Sequence, residues 1–152
     1  MDDVPESVDR MRNSMESLNT AASSAPVESS PRSTHVVDRL LSAMERGDVD
    51  AVRACYAPDV LIWHNSNNHA ERIEENLEGL AAILARWTDL SYDDIRRLEI
   101  PGGLAQQHTL RGRGPDGAEF EAHIAMFVTL GADGRIVRVD EYLDSSQLPQ
   151  FL

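Results

Sequence analysis

From Thr34 onward the chain moves between two hydrophobic periodicities. Val36, Val37, Leu40, Leu41 and Met44 recur at helical spacing behind Thr34, an N-capping residue type, and Gly47 supplies a stop. Asp48 can cap a shorter helix carrying Val49, Val52 and Tyr56, ended by Pro58. Residues 59–64 (DVLIWH) are rich in strand formers. Asn67 or Asn68 is placed to cap a third helix, in which Ile73, Leu77, Leu80 and Leu84 return every three or four residues. After Asp89 the period drops to two. Strands are predicted over 95–100, 104–113, 118–130 and 135–143, separated by Pro-Gly-Gly, Gly-Pro-Asp-Gly and Gly-Ala-Asp-Gly; the last two are hairpin signals. Helices first, one strand inserted after the second, then a meander: the pattern is α+β. It implies a curved antiparallel sheet wrapped around three N-terminal helices, with a pocket between the layers.

Upstream, Val4, Val8, Met11, Met15 and Leu18 share helical spacing, but a short isolated helix is marginal in water. Residues 17–33 hold six serines with Pro26 and Pro31 and read as a linker. The expected division is a tail over 1–33, a folded domain over 34–145 and a C-terminal tail over 146–152. Charge then narrows the partners. Twenty-six acidic side chains against 14 basic ones give a net charge of −12, which opposes nucleic-acid binding. Every basic residue is arginine, so lysine Schiff-base and P-loop chemistry are both excluded. No apolar run approaches the roughly 20 residues of a membrane span. The acidic start MDDVPESVDRMRN lacks a signal-peptide core, and the lone Cys55 cannot form an internal disulfide. A cytoplasmic protein that binds neither membrane nor nucleic acid is expected.

The stretch LLSAMERGDVDAVRACYAPDVLIWHN and the ending FEAHIAMFVTLGADGRIVRVDEYLD resemble the SnoaL-like and ketosteroid isomerase-like group. The resemblance implies a cone-shaped fold shared with nuclear transport factors, homodimerisation, and chemistry mostly without metal or cofactor. The scaffold hosts isomerases, cyclases, dehydratases, epoxide hydrolases and non-enzymes, so it does not select a reaction. Carried over by position, the isomerase general base falls on His64, its oxyanion tyrosine on Leu40 and its protonated aspartate on Ala125. With two of those groups missing, steroid isomerisation by that mechanism is disfavoured. The strand Arg-x-Asp of limonene epoxide hydrolases falls on Gln106 and His108, and their second aspartate on Glu141. Loss of the arginine disfavours that mechanism too. Scytalone dehydratase, which works with a pair of pocket histidines, is similar in residue kind.

Strand alternation gives an independent reading. Val60, Ile62 and His64 share a face, as do Gln106, His108 and Leu110, and Val139, Glu141 and Leu143. In the strand predicted over 118–130, His123, Ala125 and Phe127 share one face and Phe120, Ile124 and Met126 the other. An apolar row interrupted by one imidazole or carboxylate is the pattern of a pocket wall. The expected catalytic residues are therefore His64 as base, His108 as its partner or acid, and Glu141 as acid or orienting group. His123 and Gln106 are expected as polar substrate contacts, with Trp63, Trp87, Tyr56 and Phe127 as walls. Burial in an apolar pocket raises a carboxyl pKa and lowers an imidazole's, bringing acid and base toward neutrality. The face with Phe120, Ile124 and Met126 is expected to form the homodimer contact. No metal or cofactor is expected, since no His-x-His or His-x-x-x-His spacing occurs. The function read is acid–base chemistry on a small hydrophobic metabolite, an isomerase, lyase, cyclase or hydrolase. The alternative is a non-catalytic ligand-binding or dimerisation domain.

Overall fold

The computed structural model describes residues 35–149. The helix expected upstream and the expected linker lie outside the described residues, and the expected Thr34 cap is replaced by His35. Helix α1 (Val36–Glu45) buries Val36, Val37, Leu40, Leu41 and Ala43, the stripe its spacing demands. Its N-cap is His35, whose Nδ1 accepts the Val37 amide at 3.2 Å. Gly47, at φ 69°, turns the chain in the left-handed region that glycine tolerates best. Asp48 then caps α2 (Val49–Cys55), accepting the Ala51 amide at 3.0 Å.

Strand β1 (Tyr56–His64) begins ahead of Pro58. The proline is tolerated because the register shifts between Tyr56 and Leu61, leaving Pro58 and Asp59 exposed and outside the ladder. Asn67 and Asn68 cap no helix. Asn68 sits at φ 51°, which asparagine accepts, and its amide donates to the His64 carbonyl to turn the chain into β2 (His69–Arg72). Helix α3 (Ile73–Leu84) follows directly, without a side-chain cap.

The remaining strands are β3 (Thr88–Ile100), β4 (Gly103–Arg113), β5 (Glu119–Leu130) and β6 (Ile136–Leu143). The start of β3 escapes the period-two signal because its register shifts twice, with Asp89 and Asp94 both at positive φ. The six strands lie in the order β2-β1-β6-β5-β4-β3. Pairing is antiparallel except that β1 and β6 run parallel. The sheet is thus mixed rather than wholly antiparallel, since the meander returns to lay its last strand beside the first. Val60, Ile62, Leu104, Val128 and Ile136 pack against Val37, Leu41, Val52 and Leu77 of the helices. A smaller cluster gathers Trp87, Leu110 and Ile124 with Phe120 and Leu148. Among the described residues, no helix is long and apolar enough to cross a membrane.

Candidate active site

Between the sheet and the helices lies a cavity of about 470 Å³. Leu40, Leu41 and Met44 reach it from α1, Leu80, Ile83 and Leu84 from α3, and Ile62, Ile124, Met126 and Val139 from the sheet. Trp87, Leu148 and Pro149 also line it, and Ser66, Asn67, Glu71 and Asn76 add polar groups. Tyr56, Tyr92, His64, His108 and Glu141 are set into these mostly apolar walls.

Register explains how residues far apart in sequence meet. His64 is opposite Glu141, Glu141 opposite Met126, Met126 opposite Gln106, and Gln106 opposite Arg97. One rung therefore crosses five strands and carries the carboxylate, an imidazole, an amide and a guanidinium. His64 Nε2 and Glu141 Oε1 are 3.7 Å apart, close enough for strong coupling but longer than a hydrogen bond. Asn65 holds the two strand ends in place. Its side chain donates to the Leu143 carbonyl at 3.1 Å and accepts the Leu143 amide at 2.9 Å, while its own amide donates to the Glu141 carbonyl. Burial pushes the Glu141 carboxyl above the ordinary glutamate range, and a positive His64 pulls it partly back. Burial, with Glu141 adding to it, also drives the phenols of Tyr56 and Tyr92 well above the usual tyrosine range, so both keep their protons.

His108 is only 4% exposed. Its Nδ1 lies 3.1 Å from Gln106 Nε2, and Tyr92 meets its ring edge-on at 5.3 Å between centroids. Burial pushes its imidazolium down to about 4, so it is neutral at physiological pH. Its Nε2 is buried with no hydrogen-bond partner among the described residues. A buried donor left in that state costs about 1–3 kcal/mol.

Several expected site residues lie elsewhere. His123 is on the outer face of β5, its side chain 65% exposed and facing Glu121 Oε1 at 3.4 Å. Phe127 shares that face and is 50% exposed. Trp63 points away from the cavity, donating to Asn68 Oδ1 and packing edge-on against Tyr142. None of the three is a pocket residue. The cause in β5 is a face reversal: Ile124 and Met126 line the cavity, so the dimer face proposed on them and Phe120 is the inner one. Ala125 faces outward with Phe127, so the ungapped carry-over of the isomerase aspartate does not reach the cavity, whereas Leu40 does line it. Gln106 is 2% exposed and sits behind His108. Tyr56 and Trp87 line the cavity. Tyr92, which also lines the cavity, lies ahead of the strand that the pattern predicts over 95–100. Its signal, an aromatic after Ser91 in a polar run, is weak.

Residues 37–139 match the family model described as the SnoaL-like domain. The chain belongs to the SnoaL-like family. No curated protein matches this SnoaL-like chain. Among solved structures it resembles a hypothetical protein with a ketosteroid isomerase-like fold from Catenulispora acidiphila, in complex with trimethylamine, at TM-score 0.67 and 12% identity over 76% of this chain and 89% of that one. It also resembles a candidate polyketide cyclase from Xanthomonas campestris, at TM-score 0.64 and 20% identity over 73% and 89%. IdmH from Streptomyces antibioticus, named as a candidate polyketide cyclase, gives TM-score 0.65 and 20% identity over 74% and 91%. At these identities the likeness shows the SnoaL-like fold alone.

Proposed function

We propose that this SnoaL-like protein is a cofactor-free enzyme that moves a proton on a hydrophobic polyketide-, terpenoid- or steroid-like metabolite. The observation that carries the reading is the His64–Glu141 pair, 3.7 Å apart on the wall of an apolar cavity. A base that takes a proton needs a nearby group to return it, and a buried carboxyl with a raised pKa beside an imidazole is such a unit. The cavity volume suits a small polycyclic molecule, and the apolar walls exclude water while it reacts. Isomerisation, dehydration, aldol-type cyclisation and hydrolysis all use this inventory.

The test is turnover of a polyketide, terpenoid and steroid panel by wild type and by His64→Ala. Wild-type turnover that His64→Ala loses supports the reading, whereas equal rates remove His64 from the chemistry. The second reading, a non-catalytic ligand-binding or dimerisation domain, is favoured by Leu40, which leaves no phenol where the isomerase carries one. Saturable binding with no turnover across the panel selects it.

Homodimerisation belongs to the same proposal, on the outer sheet face. Leu98 is opposite Ala105, Ala105 opposite Phe127, and Phe127 opposite Asp140, which pairs with Trp63. Leu98 is 67% exposed and Tyr142 46%, an apolar surface that water disfavours. Sedimentation is expected to show a wild-type dimer and a Leu98→Glu/Phe127→Glu monomer. A monomeric wild type removes the interface.

A further inference from the structure

Behind His108 runs a chain of side chains that the acid–base pair does not use. Asp38 on α1 receives two hydrogen bonds from Arg97 on β3, at 2.6 Å and 3.2 Å. Both side chains are largely buried, at 16% and 15% exposure. Arg97 Nε donates to Gln106 Oε1 at 2.8 Å, and Gln106 Nε2 lies 3.1 Å from His108 Nδ1. Each link has only one possible direction. A guanidinium carries donors alone, so the glutamine atom facing Arg97 must be the oxygen. The atom facing His108 is then the NH₂ group, also a donor. Nδ1 must accept, and in a neutral imidazole the remaining proton sits on Nε2.

We propose that Asp38, Arg97 and Gln106 are positioning residues that hold His108 as the neutral Nε2–H tautomer, so that this cavity wall offers a donor to a ligand oxygen rather than a second base. The assignment rests on the reading of the cavity as the ligand site. The ligand class follows from it: a molecule that is mostly apolar and bears a carbonyl, or the enolate formed from it, at the His108 wall. A hydroxyl acting only as a donor finds no acceptor there. His64 and Glu141 then handle the proton while His108 holds the oxygen whose charge grows as that proton leaves. Nε2 has no surface open to the empty cavity, so such an oxygen reaches it only once neighbouring wall side chains give way, and it then supplies the partner this buried nitrogen lacks.

The tautomer can be read without any substrate, from the nitrogen resonances of protein labelled with nitrogen-15 histidine. At pH 7, His108 is expected to show a protonated Nε2 and an unprotonated Nδ1, as a single species. In Gln106→Glu the amide donor is replaced by a carboxylate with no proton to give. The two nitrogens should then exchange roles, a change that loss of packing alone does not produce. Cyclohexanone, used as a carbonyl probe at high concentration, should move the Nε2 proton downfield, and methylenecyclohexane, of the same shape but without oxygen, should not. A wild-type His108 that is Nδ1-protonated, cationic or a mixture of tautomers overturns the proposal, even if Gln106→Glu does not fold. An Nε2 proton indifferent to the ketone overturns the oxygen-holding role. Absence of turnover on the panel would instead sink the acid–base reading and leave the tautomer result standing.

Discussion

Turnover by the Glu141→Gln variant is expected to fall by about 10²–10⁴-fold, with KM changed far less, on whichever panel substrate the wild type converts. Glutamine keeps the shape of the side chain at the rung opposite His64 but can neither take up nor release a proton in the working range. The loss corresponds to about 3–5.5 kcal/mol of barrier, the usual yield of positioned acid–base groups. Burial holds the Glu141 carboxyl above the ordinary glutamate range, so its ionisation falls closer to the working pH. The wild-type pH–rate profile should therefore show a limb from Glu141, set above the ordinary glutamate range, and Glu141→Gln should lose that limb. His64→Ala combined with Glu141→Gln should be little slower than the worse single variant, since a proton relay fails once either member is gone. An unchanged kcat in Glu141→Gln excludes the carboxyl from the reaction.

The second large effect is on stability. His108 is pushed down to about 4 in the folded protein, from 6.5 in the open chain, by burial. Between those values the unfolded state binds a proton that the folded state refuses. Unfolding free energy therefore rises with pH in this window and falls as acid is added. From pH 7 to pH 4 the wild type is expected to lose about 3 kcal/mol more than His108→Leu. Glu141 works the other way. Its folded pKa is raised, so its contribution is present at low pH and declines as pH climbs through the folded value. That term is common to both proteins and cancels in the comparison. Leucine also leaves Gln106 without its imidazole partner, a constant offset that changes the height of the curve and not its slope. Urea unfolding at several pH values measures both curves. Parallel curves would mean that His108 is protonated in the native state.

Much of this was legible in the chain. The apolar stripe of α1, the capping by Asp48 and the two glycine-bounded hairpins are local signals, and the structure places them where the pattern does. The inward faces of β1, β4 and β6 followed from alternation, because in each one or two polar side chains (His64, Gln106 with His108, Glu141) interrupt apolar neighbours. What alternation could not supply was the phase of one strand relative to the next. A two-residue turn at Pro115-Asp116 would pair Gly114 with Gly117 and set His123 opposite His108. Instead Gly117, at φ 80°, adds one residue to the turn; Gly114 pairs with Ala118, and His108 faces Ile124. That single residue turns His123 and Phe127 outward and brings Ile124 and Met126 in. Strand β2 and the parallel β1–β6 pairing were hidden for a different reason. The parallel pairing is set by a partner far along the chain, and β2, only four residues long behind an Asn-rich turn, gives no period of its own. Alternation put Gln106 on the inward face beside His108, but its link through Arg97 to Asp38 was invisible, because those two look like ordinary surface residues until register brings them together.

The parallel pairing of β1 with β6 has a consequence for how the protein is made. As the polypeptide leaves the ribosome, β1 and the helices before it appear ahead of the other strands, yet β6, which completes their ladder, is the last of the six described strands to be translated. Until then β1 can bond only to the four residues of β2, and its other edge stays bare. The nascent domain must shield that edge for most of its synthesis, and contacts this distant in the chain form slowly. His64 waits for Glu141 throughout that interval, so the proposed acid–base pair forms in one late step instead of accumulating gradually.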